Sequence, residues 1–279
     1  MKEGFAVSAQ FAFRSPPADL APYVQGFWAA SGSTEHHREA VLPNGAVELI
    51  FNLADAQRVV GDAHRTSRRF HSAFVAGMQR TPLLIEDEGE TDLVGVRFWP
   101  GGASAWLPPS LSSLTDRVED ASDCGLKQFS SEVSSRLFEA RSLDARFDVL
   151  STALRCHRRG EPIDAKVSWA LHAMHMDTEP VPAGVLAKRV GISHKHLIAL
   201  FDRRVGVSPR TLRRVLRFHG VVARLQGTVP PRSWAQVATE GGYADQAHLI
   251  REFQEFAGCT PRTFIEKRTE DGWHLKGDR

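Results

Sequence analysis

The chain has 279 residues, enough for one large domain or two of ordinary size, and its 42% hydrophobic and 24% charged residues suit a globular protein with a packed core. The net charge is only +2, but residues 1–160 hold 17 Lys and Arg against 20 Asp and Glu, a net of −3, whereas residues 181–268 hold 15 against 6, a net of +9. The C-terminal part therefore carries the basic charge expected of a nucleic-acid binder.

Several other classes of protein are disfavoured by the residues themselves. Cys124, Cys156 and Cys259 form no CxxC pair, so neither a disulfide framework nor a zinc finger is indicated. The first ten residues lack a basic segment followed by a long apolar core, and no stretch approaches about 18 consecutive apolar residues. We therefore expect a cytoplasmic protein without a membrane span, a metal or a cofactor.

The first 40 residues are predicted to be irregular, because Pro16, Pro17 and Pro22 interrupt any long helix. Tyr23, Phe27 and Trp28 are expected to lie on a short helical turn and to pack in the core. Residues 41–99, in contrast, have the period of two that is typical of half-buried strands. This alternation occurs in Val47–Leu53 and again in Val94–Trp99, and a Pro-Asn-Gly turn precedes the first run.

Further strands are predicted at 57–61, 72–77 and 82–86, and short strands with polar breaks predict a small barrel or curled sheet. A short helix at Gly101–Leu107 and a loop at Leu111–Cys124 are expected to follow. Apolar residues at helical spacing then predict helices at Gly125–Ala140 and Leu143–His157. The charged segment 158–162 is the predicted linker, which divides the chain into domains at 1–160 and 161–270.

The last third of the chain contains two similar helix-turn-helix patterns, at about 183–206 and 233–258, after an opening helix at Ile163–Met176. Each has an alanine at a close helix crossing, a turn glycine, and a leucine and a phenylalanine four residues apart on one face. A second glycine ends the helix, and Ser-Pro or Thr-Pro begins the next. The matching positions are Ala187 and Ala238, Gly191 and Gly242, Leu197 and Leu249, Phe201 and Phe253, Gly206 and Gly258, and Pro209 and Pro261.

This spaced pair, LA…S…L…F…G.SP followed by A…GY.DQ.HL…F…G.TP, resembles the DNA-binding domain of AraC/XylS-type transcription regulators. More weakly, LPNGAVELIFNL and GVRFWPGGA resemble the β-rich sensor domain that precedes this module. The resemblance implies an α+β fold, with an N-terminal β-barrel-like (cupin-like) domain and following helices, and a C-terminal all-α domain of two helix-turn-helix units joined by a long helix. It implies a sequence-specific transcription regulator, more often an activator, that binds double-stranded DNA and responds to a signal.

In this fold the second helix of each unit enters the major groove, and residues near its start meet base edges. The first such helix is expected at about His194–Arg203, with Ser193 as its cap. Lys195 can donate to guanine acceptors, whereas its apolar neighbours can contact only groups such as a thymine methyl. The predicted DNA-contacting residues of this helix are His194, Lys195, Ile198, Ala199 and Arg203.

The second such helix is expected at about Ala244–Phe256. Gln246 can pair with adenine and Arg251 with guanine, although Arg251 is equally placed to pair with Glu255 on a solvated face. The predicted contacts here are Gln246, Ala247, Ile250 and Arg251. Phosphate contacts are predicted for arginines of the joining helix at about Pro209–Gln226, namely Arg213, Arg214 and Arg217, alongside Arg210 and Arg224. Reading helices on one face of DNA would meet sites about 34 Å apart.

Regulation is predicted to reside in the β-rich domain. Glu48, Arg97 and Trp99 are candidates to line a pocket for a small-molecule effector, because they fall on the non-aliphatic faces of their strands. The alternative is that Glu48 and Arg97 face solvent or pair with each other. In AraC-type proteins helices placed like those at 125–157 often carry a homodimer contact, and the alternative is that they only cover the barrel. An activator would also contact RNA polymerase.

Two other functions for the β-rich domain are a metal-dependent enzyme and a ligand-free protein-interaction domain. His36 and His37 are adjacent, so they would point to opposite faces of a strand, and no catalytic triad or phosphate-binding loop is present. We therefore expect no enzymatic activity. A barrel filled by Phe and Trp side chains would favour the protein-interaction domain, whereas an interior cavity of some hundreds of Å³ would favour an effector.

Overall fold

The structure is a computed structural model that describes residues 10–32, 38–61, 67–87, 89–107, 110–158, 163–176, 181–226, 231, 233–269 and 274–276. Strands dominate the β-rich half (residues 10–158), and helices dominate the C-terminal half (residues 163–276). The strands are β1 (Gln10–Arg14), β2 (Val24–Gly32), β3 (Arg38–Val41), β4 (Val47–Asn52), β5 (Gln57–Gly61), β6 (Arg68–Phe70), β7 (Ala73–Ala76), β8 (Leu83–Asp87), β9 (Thr91–Phe98), β10 (Val118–Asp120) and β11 (His274–Lys276). The helices are α1 (Lys127–Glu139), α2 (Leu143–His157), α3 (Ala165–Met176), α4 (Ala183–Arg189), α5 (His194–Val205), α6 (Pro209–Leu225), α7 (Trp234–Glu240), α8 (Gln246–Ala257) and α9 (Pro261–Lys267).

The described strands form two antiparallel sheets. One has six strands in the order β1-β2-β9-β4-β7-β10, and the other has five in the order β11-β3-β8-β5-β6. The five strands predicted from alternation and apolar runs are confirmed as β4, β5, β7, β8 and β9. The predicted α+β fold class is therefore correct, and the predicted barrel-like domain consists of two facing sheets.

An apolar layer lies between the two sheets. On β4, Ile50 belongs to this layer, whereas Leu49 and Phe51 belong to the core on the other side of the sheet, as a period of two requires. The rings of Phe70 and Phe74 meet in the layer with centroids 4.9 Å apart, and the buried Trp28 packs over the backbone of β9. Aromatic side chains therefore fill much of the space between the sheets.

The outer face of the six-stranded sheet is covered by α1 and α2. Phe27 of β2 lies 6.3 Å from Phe147 of α2, measured between ring centroids, and the indole N–H of Trp106 donates to the Leu154 carbonyl at 2.9 Å. This core continues into α3, α4, α5 and the start of α6, where Phe201 is fully buried. The β-rich half and the first helix-turn-helix unit thus share one core. The sequence pattern of neither part predicts this.

A second core organises α6 to α9. The ring of Phe218 on α6 lies 5.0 Å from that of Phe253 and 5.3 Å from that of Phe256, both on α8. Ala40 of β3 and Leu275 of β11 belong to the same cluster. The second helix-turn-helix unit is therefore also packed against the β-rich half.

The segment after α9 returns to the β-rich half as β11. It pairs with β3 in antiparallel register, with Leu275 opposite Ala40, and becomes an edge strand of the five-stranded sheet. The Nδ1 atom of His274 lies 2.9 Å from Glu39 Oε2. A strand that follows both helix-turn-helix units in sequence therefore completes the sheet of the other half.

Three predictions about the β-rich half were wrong. The described residues among the first 40 are not irregular, since they include β1, β2 and the start of β3, and Phe27 and Trp28 lie on a strand rather than a helical turn. Both side chains are nevertheless buried, which confirms their packing in the core. The predicted loop 111–124 contains a 3₁₀ turn at Leu111–Leu114 and the short strand β10. The predicted helix at 125 begins at Lys127, because Gly125 has a φ of +75°.

Candidate nucleic-acid interface

The first reading unit consists of α4 and α5. Gly191 forms the turn with a φ of 70°, and the Ser193 side chain accepts a hydrogen bond from the His196 backbone N–H at 3.1 Å, as predicted for the cap. Gly206 ends α5 in a left-handed conformation, with a φ of 99°, and its N–H donates to the Phe201 carbonyl at 3.0 Å. The local chemistry read from the sequence therefore sets both ends of this helix.

The outward face of α5 is accessible. Leu197, Leu200 and Phe201 are buried, as predicted, and this leaves the opposite side of the helix to solvent. Ile198 is 39% exposed. Lys195 has no hydrogen-bond or ion-pair partner among the described residues. The five predicted contact residues are all exposed: His194, Lys195, Ile198, Ala199 and Arg203.

The second reading unit consists of α7 and α8. Gly242 forms its turn with a φ of 73°, and Gly258 ends α8 with a φ of 69°. The helix begins at Gln246, two residues later than predicted, because the Asp245 side chain accepts from the His248 N–H at 2.7 Å and acts as the cap. Both units therefore have the same construction, with different capping residues.

The outward face of α8 presents Gln246, Ala247 and Arg251, which are exposed, and Ile250, which is half-buried. The alternative pairing of Arg251 with Glu255 is absent from the described residues, because both carboxylate oxygens of Glu255 accept hydrogen bonds from Arg214. Arg251 has no hydrogen-bond or ion-pair partner in the described part of the chain. Its guanidinium is therefore available to an external acceptor.

Unlike Lys195 and Arg251, most arginines of the joining helix α6 already donate hydrogen bonds within the described part of the protein. Arg213 donates to the Val181 carbonyl at 2.6 Å, and burial, with Arg217 and Arg210 nearby, lowers its pKa. Arg214 and Arg217 both donate to Glu252 of α8, at 2.8 and 2.6 Å. Arg210 is exposed and has no such partner within the described ranges. Arg224 donates to the Glu240 carbonyl at 2.6 Å. Four of the five arginines predicted to contact phosphate thus already hold protein acceptors.

The β-rich half contacts the first reading unit directly. The Ser112 hydroxyl donates to Asp202 at 3.0 Å, and the Thr115 hydroxyl donates to the carbonyl of Gly206 at 2.6 Å. A cleft of about 540 Å³ opens beside these contacts. Its lining comes from both halves: Arg80, Ser112, Ser113, Thr115, Asp116, Arg117, Asp202, Gly206, Val207, Ser208 and Thr211.

The structure brings two of the three predicted effector-pocket residues together. The Nε atom of Arg97 donates to Glu48 Oε1 at 2.7 Å, and the side-chain amide of Asn44 donates to the same oxygen at 3.0 Å, which confirms the alternative of mutual pairing. Burial, and secondarily the charge of Arg97, lowers the pKa of His219 on α6 to about 4. Trp99 is 44% exposed.

Within the described residues, no group of three or more His, Cys, Asp or Glu side chains is arranged to hold a metal ion. His36 and His37 lie outside the described residues. No described helix is long and apolar enough to cross a membrane. The expectation that the chain is not an enzyme stays a prediction.

Glu252 is the main residue of this region that the sequence analysis missed. It is a buried carboxylate in the middle of α8, and its side chain is 4% exposed. A signal was present in the sequence, because Glu252 lies three residues after Leu249 and four before Phe256, on the apolar face of the helix. A charge at such a position indicates a buried partner of opposite sign.

Comparison with known proteins finds one matching domain family in each half of the chain. Residues 186–267 match a helix-turn-helix domain family, and residues 13–120 match a domain family of unknown function, DUF6597. The sequence matches no curated protein.

Similar solved structures include ToxT from Vibrio cholerae, 10% identical over 93% of this chain and 97% of that chain, with a TM-score of 0.49. A ToxT structure from Vibrio cholerae with bound unsaturated fatty acid is 11% identical over 95% and 97% of the two chains, with a TM-score of 0.47. The AraC-like transcriptional activator CuxR is 11% identical over 77% of this chain and 86% of that chain, with a TM-score of 0.24.

Proposed function

We propose that this protein, a DNA-binding transcription regulator with a helix-turn-helix domain of the AraC type, reads two successive major-groove segments of duplex DNA with α5 and α8. The observation that carries the proposal is that donor side chains on the outward faces of α5 and α8 are exposed and unpaired within the described residues. Lys195 and Arg203 on α5, and Gln246 and Arg251 on α8, are exposed and have no hydrogen-bond or ion-pair partner among the described residues. Donors in this state bind DNA without first giving up a bond within the protein.

The two reading helices have different chemical capacities. Gln246 occupies the first turn of α8, from which its amide pairs with adenine, and Arg251 lies one turn and a half later with a fork that fits guanine. On α5 the corresponding face holds Lys195 beside Ile198 and Ala199, so it offers fewer directional hydrogen bonds. We infer that α8 makes the larger contribution to base recognition, and that α5 depends more on apolar contact and on DNA shape.

Phosphate contacts are assigned on the same criterion. Arg210 at the start of α6 and Arg203 on α5 are exposed and unpaired within the described residues, so they are the first candidates. Arg213, Arg214 and Arg217 already donate to acceptors in the protein, so fewer of their N–H groups are available to phosphate. Their predicted role in phosphate binding therefore stays open to the experiments below.

We further propose that the β-rich half regulates DNA binding through its contacts with the first reading unit. The shared core, the Ser112–Asp202 hydrogen bond and the Thr115–Gly206 hydrogen bond support this route, because a shift of the β-rich half would move the C-terminal end of α5. A signal acts only if it binds two arrangements of this junction with different affinity. Homodimer formation and contact with RNA polymerase stay predictions.

The kind of signal depends on where space exists. Trp28, Phe70 and Phe74 occupy the layer between the sheets, which favours a β-rich domain that responds to a protein partner over one that encloses a ligand there. A small-molecule effector would instead fit the cleft of about 540 Å³ at the junction, between Arg80 and Arg117 on one side and Thr211 on the other.

The test of DNA reading is a selection of bound sequences from a random duplex pool at fixed salt, with the full-length protein. We expect two conserved segments about one helical turn apart. Gln246→Ala should relax the preference at one base pair and leave the others unchanged. Gln254→Ala, which alters an exposed glutamine on the same helix, is the matched control. A pool without any enriched sequence would overturn the proposed function, and an unchanged preference with Gln246→Ala would remove Gln246 from it.

A further inference from the structure

The second reading helix contains a carboxylate that is almost fully buried. Glu252 lies among Leu249, Phe253 and Phe256 on the inward face of α8, and its side chain is 4% exposed. Its Oε1 atom accepts hydrogen bonds from Arg214 Nε at 2.8 Å and from Arg217 Nη2 at 2.6 Å. A buried charge is costly unless it is paired, so this carboxylate holds both guanidinium groups where they are.

Arg214 is held at three points. Besides Glu252, it donates through both terminal nitrogens to Glu255, one of them at 3.0 Å, and its guanidinium carbon lies 5.1 Å from the centre of the Phe256 ring. These hydrogen bonds raise the pKa of Arg214, because they stabilise its charged form. The side chain is 31% exposed, so it lies at the surface of the module without being free.

Arg217 is held in a similar way and connects to the turn before α8. Its guanidinium carbon lies 4.4 Å from the centre of the Tyr243 ring, and it donates to the Gly242 carbonyl at 3.2 Å. The His248 ring nitrogen lies 3.4 Å from Arg217 Nη2 and 3.5 Å from Glu252 Oε1. Glu252 thus connects α6 with the turn and the first half of α8.

Positive charge is in excess around this carboxylate. Arg210, Arg213, Arg214 and Arg217 lie on the first half of α6, and the proximity of Arg217 and Arg210 lowers the pKa of Arg213. Loss of the Glu252 charge would leave Arg217 with only neutral acceptors and Arg214 with Glu255 as its one charged partner, within a module of net charge +9 over residues 181–268. The guanidinium groups would then seek other anions, and on DNA the available anions are phosphates.

We propose that Glu252 is a specificity-determining positioning residue. It keeps Arg214 and Arg217 bound within the protein and so fixes the position of α8 against α6. This inference rests on the proposed DNA-reading function. Phosphate contacts add affinity that does not depend on sequence, whereas discrimination is the difference between two affinities. By withholding two arginines from phosphate, Glu252 lowers binding to all sequences alike. By holding α8 in a fixed position on α6 through Arg214 and Arg217, it keeps the base contacts of α8 in place, and discrimination depends on those contacts.

The test compares the full-length protein with Glu252→Gln, which keeps the shape of the side chain and removes its charge. Dissociation constants are measured by fluorescence anisotropy for a selected duplex and a scrambled duplex across a range of salt concentrations. The matched control is Glu255→Gln, which removes the more exposed acceptor of Arg214, 47% exposed, and leaves Glu252 in place. Circular dichroism and urea unfolding establish that each variant is folded.

For Glu252→Gln we expect tighter binding of the scrambled duplex, because the released arginines reach phosphate. We also expect the specificity ratio to fall about tenfold or more, because α8 loses its fixed position on α6 and with it the base contacts. The slope of log K against log salt should steepen by about 0.9 for each arginine released, hence by roughly 1 to 2. Glu255→Gln should change the ratio less than threefold. An unchanged slope and an unchanged scrambled-duplex affinity in a folded Glu252→Gln variant would overturn the proposal, as would equal weakening on both duplexes.

A second variant decides the question if Glu252→Gln does not fold. Arg214→Gln leaves Glu252 paired with Arg217, and we expect a lower specificity ratio with an unchanged salt slope. If Arg214 instead contacts phosphate in the native complex, the slope would fall by about 0.9 and the ratio would stay constant, which contradicts the proposal. A wild-type protein that prefers no sequence would refute the proposed function itself, independently of either variant.

Discussion

Arg251 on α8 allows DNA reading to be separated from folding. The side chain is exposed and has no partner in the described part of the chain, since its neighbour Glu255 is bonded to Arg214. Arg251→Ala should therefore change the free energy of unfolding by less than about 0.5 kcal/mol. If Arg251 pairs with guanine, the same change should cost about 1–3 kcal/mol of discrimination at one base pair. That corresponds to roughly 5- to 150-fold in the ratio of dissociation constants.

The assay uses fluorescence anisotropy on the selected duplex and on duplexes that carry each of the other base pairs at every position in turn. Urea unfolding of the same preparations measures stability. Arg262→Ala is the control, because Arg262 is an exposed arginine of α9 whose pairing with Glu266 is loose, at 3.5 Å. We expect Arg251→Ala to lose preference at one position, and Arg262→Ala to keep the full preference.

Two results would refute this reasoning. Equal weakening on every duplex, with a salt slope lower by about 0.9, would mean that Arg251 contacts phosphate and not a base. A loss of more than about 1 kcal/mol in the free energy of unfolding would mean that Arg251 has a structural role. Such a role is not expected of a side chain without a partner among the described residues.

Two further predictions concern the packing of the halves. Leu275→Ala should lower the free energy of unfolding by about 2–4 kcal/mol, since Leu275 is buried between β3 and the core of the second reading unit, whereas Lys276→Ala should have little effect in the same urea titration. Burial lowers the pKa of His219 from 6.5 to about 4, so the folded protein binds this proton less readily than the unfolded chain. The free energy of unfolding gained by keeping His219 neutral should be fully present above about pH 6.5 and should be lost as the pH falls towards 4, by at most about 3 kcal/mol. His219→Gln should therefore flatten the curve of Tm against pH in that range. An equally steep curve for the variant would contradict this prediction.

The features that the sequence predicted well depend on local chemistry. Ser193 at the start of α5 and Gly206 at its end act through atoms within a few residues, so their roles follow from spacing alone. The alternation in β4 and β9 was equally informative, because Leu49 and Phe51 of β4 and Val94, Val96 and Phe98 of β9 all belong to the core on one side of the sheet. The start of α8 was misplaced by two residues, since Ala244 precedes the true cap Asp245.

The features that it missed depend on contacts distant in sequence. β2 is buried on both faces over much of its length, so it shows no clean alternation, and prolines before it suggested irregular structure. The spacing of Arg251 and Glu255 fitted an ion pair along one helix, but Arg214 from a neighbouring helix takes that carboxylate. The partners of Glu252 likewise lie on another helix, α6, so the sequence of α8 could not identify them. The position of Glu252 on the apolar face of α8 could be read from the sequence.

The pairing of β11 with β3 has a consequence for biosynthesis. Glu39 and His274, whose side chains meet across that pair, are separated by 235 positions in the chain. At about 5–20 residues per second, the ribosome delivers β11 roughly 10–50 s after β3. During that interval one edge of the five-stranded sheet has unpaired backbone groups, and such an edge is a template for pairing with other chains. Both DNA-reading units are therefore synthesised before β11 can pair with β3. Chaperone binding at the β3 edge would protect that edge in the meantime.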